Sequence, residues 1–164
     1  MTEERVPQVS ERELLESEIS ADLRALTAVS EQLGHVFARA NELRPTDFRA
    51  LMHIATADIE GDPLTAGRLA KLLGISTAAV TYLVERMIES GHIRRDTDAA
   101  DRRKVLLRYA DHGMDVARGF FTPLGTRTRA AMAALPDEDL AAAHRVFSAL
   151  ITSMRTHFDE LTRR

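Results

Sequence analysis

The amino-acid sequence predicts a mainly α-helical fold with one small β-hairpin, and three observations point to it. Apolar residues recur at steps of three and four along most of the chain, the mark of helices with one buried stripe. Two short helical stretches meet at Leu73-Gly74-Ile75-Ser76, a corner made of a glycine stop and a serine cap. Directly after them, two short runs rich in Arg, Val and Leu flank a polar turn, as the arms of a hairpin do.

At 164 residues, 45% hydrophobic and 29% charged, the chain is long enough to bury a core and is sized for a single structural domain, or for one small domain carrying an added helical arm. It has no cysteine. That excludes disulfides, thiolate catalysis, thiol redox sensing and cysteine-based zinc or iron–sulfur sites. No run of about 18 apolar residues occurs, so no membrane-spanning helix is expected. The opening MTEERVPQVSERE lacks the apolar core of a secretory signal, and a cytoplasmic location is the expectation. The net charge of −3 is unevenly spread. The segment from Leu64 to Arg108 is net basic between acidic flanks, which suits a polyanion on one face.

Residues 1–10 read as a flexible tail. From Glu11 to Ala40, Leu14, Leu15, Ile19, Leu23, Leu26, Val29, Leu33, Val36 and Phe37 mark a long amphipathic helix. Its length exceeds what one small domain needs, so part of its stripe is expected to face another chain. Thr46 is expected to cap a second helix through Asp58 that buries Phe48, Leu51, Met52, Ile54 and Ala55. After a turn at Gly61-Asp62-Pro63, Thr65 caps a short helix to Leu73 that Gly74 stops. Ser76 caps the next, from Thr77 to about Ser90, with Val80, Leu83, Val84, Met87 and Ile88 as its apolar set.

Ile93-Arg94-Arg95 then reads as a strand, Asp96 to Asp101 as a turn, and Lys104 to Tyr109 as a second strand with Val105 and Leu107 on one face. A helix-turn-helix followed at once by a basic hairpin is a winged helix. A helix from Asp111 to about Ala134 follows, carrying Met114, Phe120, Phe121 and Leu124. Pro136 starts the last, with Asp137, Glu138 and Asp139 where acids favour the helix dipole, and a stripe of Val146, Phe147, Leu150, Ile151, Met154, Phe158 and Leu161.

The residues Leu64-Thr65-Ala66-Gly67-Arg68-Leu69-Ala70, Gly74-Ile75-Ser76, Val80 to Met87, Gly91-His92-Ile93-Arg94-Arg95 and Asp101-Arg102-Arg103-Lys104-Val105 resemble those of MarR-family transcriptional regulators over nearly the whole length. The wing pattern, running to Gly113, is the most specific part. The resemblance implies a winged helix-turn-helix over 45–110 that binds DNA, with long N- and C-terminal dimerisation helices over 11–44 and 111–164. It implies a homodimer on a pseudo-palindromic operator, acting as a repressor and relieved by a small aromatic or phenolic effector. It departs from the family at Tyr109-Ala110, where a capping threonine is usual; Asp111 is expected to cap one residue later.

Ser76, Thr77, Ala78, Ala79, Thr81 and Tyr82 start and flank the presumed recognition helix. There hydroxyls bond base edges or phosphates and alanine methyls meet thymine methyls. Ser76 is first a helix cap. Arg86 has two readings, a phosphate contact or a pair with Glu89 three residues on. Arg94, Arg95, Arg102, Arg103 and Lys104 are read as DNA contacts over the alternative of a solvated charge run. By resemblance, Arg103 enters the minor groove and Asp101 holds it by a salt bridge.

By resemblance too, His35, Phe37, Phe48, Met52, His53 and Phe120 flank a ligand crevice, although such aromatics are more often core. The six histidines show no metal-ligand spacing, and no metal or cofactor is expected. Two competing classes fit less well. An enzyme would need a phosphate loop or a nucleophile beside a base, and neither pattern occurs. A winged-helix interaction module without DNA binding would gain nothing from the clustered wing arginines.

Overall fold

The computed structural model describes residues 10–163, so the tail expected over 1–10 lies outside the described residues except for Ser10. In chain order the elements are α1 (Glu11–Ala40), α2 (Pro45–Ile59), α3 (Ala66–Leu73), α4 (Thr77–Glu89), β1 (Ile93–Thr97), β2 (Val105–Tyr109), α5 (Asp111–Met132) and α6 (Asp137–Thr162). None of these helices is long and apolar enough to cross a membrane. The chain divides into two compact units, one to Ala117 and one from Arg118, with the boundary inside α5.

In the first unit the helix ends are set locally. Ser10 and Glu13 form a capping box at the start of α1, which also holds the Glu13 carboxyl below its usual range. Thr65 caps α3 by accepting the Arg68 N–H, and Ser76 caps α4 by accepting that of Ala79. Gly74 closes α3 in the left-handed region at φ 67°, which an L side chain rarely adopts. The start of α2 differs from expectation. Thr46 lies within the first turn, and Asp47 does the capping by accepting the Arg44 backbone N–H at 3.0 Å, with Pro45 preset for the first helical position.

The core of this unit gathers Phe37 from α1, Leu51 and Ile54 from α2, Leu69 from α3, Val80, Val84 and Met87 from α4, and Ile93 and Leu107 from the hairpin. Gly34 permits the α1–α2 contact, since a Cβ there would lie 2.2 Å from the Phe48 ring. Met52, expected in this core, is 43% exposed, because Leu51, Ile54 and Ala57 already define the inward stripe of α2.

β1 and β2 pair antiparallel with Ile93 opposite Tyr109 and Thr97 opposite Val105, so β1 runs two residues beyond the expected strand. The expected alternation on β2 fails: Val105 is exposed while Leu106 and Leu107 are both buried. Leu107 faces the core and donates its N–H to the Leu64 carbonyl at 2.7 Å, while Leu106, also buried, lines a cleft with Gly61 and Pro63. Asp111 does not cap α5. The Ala110 carbonyl accepts the first helical bond, from Met114, and the Gly113 N–H reaches the Gly91 carbonyl at 3.2 Å. Backbone therefore does the work expected of a capping side chain.

The second unit holds the rest of α5, with Phe120 and Phe121 edge to face at 5.0 Å, and α6. No residue of α6 is buried, and Phe147, Ile151, Met154 and Phe158 all stand exposed along it.

Candidate nucleic-acid interface

α4 presents two chemically distinct faces. Val80, Leu83, Val84 and Met87 are buried, whereas Ser76, Thr77, Ala78, Ala79, Thr81 and Tyr82 are all exposed. The outer face of its first two turns thus offers hydroxyls, methyls and one phenol. The Thr81 hydroxyl donates to the Thr77 carbonyl at 2.8 Å and keeps its lone pairs for a further donor.

The hairpin's cations fall into two groups. Along its body each is held by an acid. Arg94 forks onto Asp96 at 3.1 and 2.9 Å, and Arg95 pairs with Glu85 of α4 at 2.6 Å. Arg108 meets Asp58 at 2.8 Å, and Lys104 lies 3.6 Å from Asp98. At the tip, Arg102 and Arg103 are exposed and, among the described residues, form no ion pair. The tip itself is pinned by carboxylates. Asp98 accepts the N–H groups of Ala100 and Asp101, and these bonds, with Lys104 nearby, hold its carboxyl below the usual range. Asp101 accepts the Arg103 backbone N–H at 3.0 Å rather than its guanidinium, which corrects the expected salt bridge: the acid fixes the turn and leaves the arginine head unengaged. A cleft of about 460 Å³ separates the tip from the start of α3, lined by Thr65, Gly67, Asp101, Arg103 and Lys104.

Arg86 does not pair with Glu89. It turns inward to the buried Asp47 of α2 and lies over the Tyr82 ring, with 5.1 Å from guanidinium carbon to ring centroid. Burial opposes its charge, but Asp47 and Tyr82 beside it prevail and raise its pKa. Arg44, which the sequence reading passed over, also stands over Tyr82, at 5.9 Å. Asp47 and Asp98 were missed as well. Asp98 had a local signal, an Asp two residues before a small residue in a polar turn. Asp47 had only that of a first-turn acid.

The residues proposed for a ligand crevice fall on α1, α2 and α5. Phe37 is core and packs against the half-buried Phe48 with ring centroids 5.5 Å apart. His53 is half-buried, and burial, with Arg49 adding to it, lowers its pKa. His35 and Met52 are exposed, and Phe120 belongs to the second unit.

A helix-turn-helix with an adjoining hairpin defines the winged helix-turn-helix class. Residues 41–104 match the model of the MarR family. A relative from Bacillus subtilis strain 168, the uncharacterized HTH-type transcriptional regulator YcgE, is 38% identical over 93 residues; the match spans 56% of each chain, so the alignment reaches little more than half of the relative's length. Among solved structures, the transcriptional regulator Tm0710 from Thermotoga maritima is similar with a TM-score of 0.56 at 24% identity, over 87% of this chain and 98% of that one. The MepR–DNA complex of S. aureus is similar at 0.51 and 17%, over 82% and 98%. These last two likenesses concern the fold. The family match therefore lies within the winged helix-turn-helix, over residues 41–104.

Proposed function

We propose that the protein is a transcriptional regulator, not an enzyme, that binds double-stranded DNA through α4 and the hairpin. It does so as a homodimer on a pseudo-palindromic operator, represses transcription there, and is relieved by a small aromatic or phenolic effector. The observation that carries this reading is the division of charge in the hairpin. Four of its cations are neutralised by acids, while Arg102 and Arg103 at the tip, beside the polar face of α4, form no ion pair among the described residues. A planar, weakly hydrated guanidinium on a pinned turn suits a narrow minor groove. The MepR complex, similar in fold, supports DNA as the partner.

The dimer is supported by exposed apolar stripes, Leu14, Leu15, Leu26 and Val29 on α1 and Phe147, Ile151, Met154 and Phe158 on α6. Effector relief has the weaker support of the aromatic pair Phe37–Phe48 and the half-buried His53 on α2.

Footprinting on the gene's own upstream region tests the reading, followed by anisotropy titrations with the protected duplex at two salt concentrations. A two-fold dimer places half-sites about 10 base pairs apart, so inserting about 5 base pairs turns one half-site to the far side of the duplex and abolishes tight binding. Undiminished affinity for the expanded duplex, or equal affinity for a scrambled one, counts against it.

A further inference from the structure

Asp47 is a buried acid that a recognition role for α4 does not by itself explain. It is 2% exposed and divides its carboxylate between two arginines. Oδ2 accepts the backbone N–H of Arg44, and Oδ1 accepts a guanidinium N–H of Arg86. The same two arginines meet again outside the core, where both guanidinium groups stand over the ring of Tyr82. Tyr82 is 61% exposed on the outer face of α4, among the residues read as facing DNA. An exposed tyrosine on a helix ordinarily samples several rotamers, and two cations over its ring restrict that sampling. Either contact alone is weak at an exposed site. Arg86, however, is not free to leave, because its departure would strand a charged carboxylate in the core.

We propose that Asp47 is a positioning residue for DNA recognition. Through the Arg86 guanidinium, and by fixing the Arg44 backbone from which the second guanidinium extends, it holds the Tyr82 ring in one orientation on the outer face of α4, so that the duplex meets the ring's edge and hydroxyl rather than a freely rotating group. The proposal rests on the DNA-binding reading given above and adds to it the residues that preorganise the surface. Preorganisation lowers the ordering cost at the moment of binding, and so it acts on the selective complex more than on loose association with phosphates. The plain alternative is that the Asp47–Arg86 pair only ties α2 to α4 and that Tyr82 is a bystander.

The chain has no tryptophan and two tyrosines, which makes the ring observable. The other, Tyr109, donates its hydroxyl to the Leu51 carbonyl away from α4. In a Tyr109→Phe background Tyr82 is therefore the sole emitter of the full-length protein, and time-resolved anisotropy reads its local motion. We expect hindered motion in that background and a larger fast component in Asp47→Asn, Arg86→Lys and Arg44→Ala. Arg86→Lys keeps a cation for Asp47 but loses the planar head over the ring, so a purely tethering pair predicts no release there. Arg44→Ala leaves the buried pair untouched and keeps the test sound should the core variants fold poorly.

On DNA, Asp47→Asn and Arg86→Lys each lower the ratio of affinities for the footprinted and scrambled duplexes about tenfold, the scale of one lost base contact. The salt slope is unchanged, because no phosphate contact is removed. Tyr82→Ala lowers the ratio similarly, and Asp47→Asn combined with Tyr82→Ala lowers it no further. Unchanged ring motion in all three variants overturns the proposal whatever the DNA result. Additive losses in the double variant overturn it too. A wild-type protein that prefers no duplex overturns the DNA reading and the recognition role together, and the anisotropy then says separately whether the ring is clamped.

Discussion

Arg103 reaches the hairpin tip with its head unengaged while its backbone N–H is tied to Asp101, and that division of labour sets what its removal does. Arg103→Ala deletes one cation per subunit from a turn that keeps its shape. For two phosphates released per dimer, the slope of log K against log salt becomes shallower by about 1.8, with little change in sequence preference. Thr81→Ala has the reverse signature, a preserved slope with weaker preference at one symmetric pair of bases. Binding isotherms across a salt series check both; a wild-type slope in Arg103→Ala would remove the wing from the interface.

Also at this scale, His92 is buried, 2.8 Å from the Ser90 hydroxyl through Nδ1 and edge-on to His112. Burial first, and His112 second, hold its pKa below the usual 6.5, against an opposing pull from Asp47. The unfolded chain then binds a proton that the folded one resists. Stability is complete above about pH 6.5 and is lost as pH falls through the folded value. His53 acts in the same direction, whereas the acids with lowered pKa values, Glu85 and Asp98 among them, stabilise above the carboxylate range and lose that contribution only as pH falls through it. The urea midpoint is expected to be lower at pH 5.5 than at pH 7.5, with the difference reduced in His92→Gln. Equal midpoints would show that neither histidine is linked to folding.

Elements are joined here by backbone approaches as much as by side chains. α5 begins against the end of α4 and the start of β1, where the Gly113 N–H meets the Gly91 carbonyl. A Cβ on Gly113 would stand 2.1 Å from the His92 carbonyl oxygen, and neither piece of backbone can swing away as a flexible side chain would. Gly113→Ala is therefore expected to destabilise the fold by about 2 kcal/mol, in the range of overpacked cores. Urea unfolding measures it, and a wild-type midpoint would mean that α5 can shift. The same junction explains why alanine suffices at position 110. A helix whose first amides reach a neighbouring backbone carbonyl does not depend on a side-chain cap.

Over the whole molecule, large apolar side chains remain exposed on α1 and α6. α1 buries only Gly34, Phe37 and Ala38 near its end, and α6 buries nothing, yet both carry regular stripes of large side chains. Patches of this kind exceed what a monomer usually exposes and mark interfaces. If a two-fold copy covers them, each stripe occurs twice in the interface, once from each subunit, and charge placed there is felt twice. Ile151→Glu with Met154→Glu is expected to give monomeric or unfolded protein without tight operator binding. Light scattering at micromolar concentration checks the premise, since a monomeric wild type would overturn it.

What the sequence determined by itself was what neighbouring residues decide. The spans of α1, α3 and α4 follow from apolar periodicity and from Thr65, Gly74 and Ser76, whose effects reach no further than one helical turn. The order helix, helix, hairpin was legible for the same reason, and so was the polar outer face of α4. The tertiary structure decided everything that depends on distant partners. Asp47 meets Arg86 across 39 positions, and Arg108 meets Asp58 across 50. Leu106 and Leu107 are both buried, although strict alternation would have turned one of them to solvent. The wing arginines all look alike in the sequence, and only folding brings Glu85 to Arg95 and Asp58 to Arg108 while leaving Arg102 and Arg103 without an ion pair among the described residues. Periodicity and capping are properties of a few successive residues, whereas the pairing of a charge is a property of whatever the fold brings within about 4 Å of it.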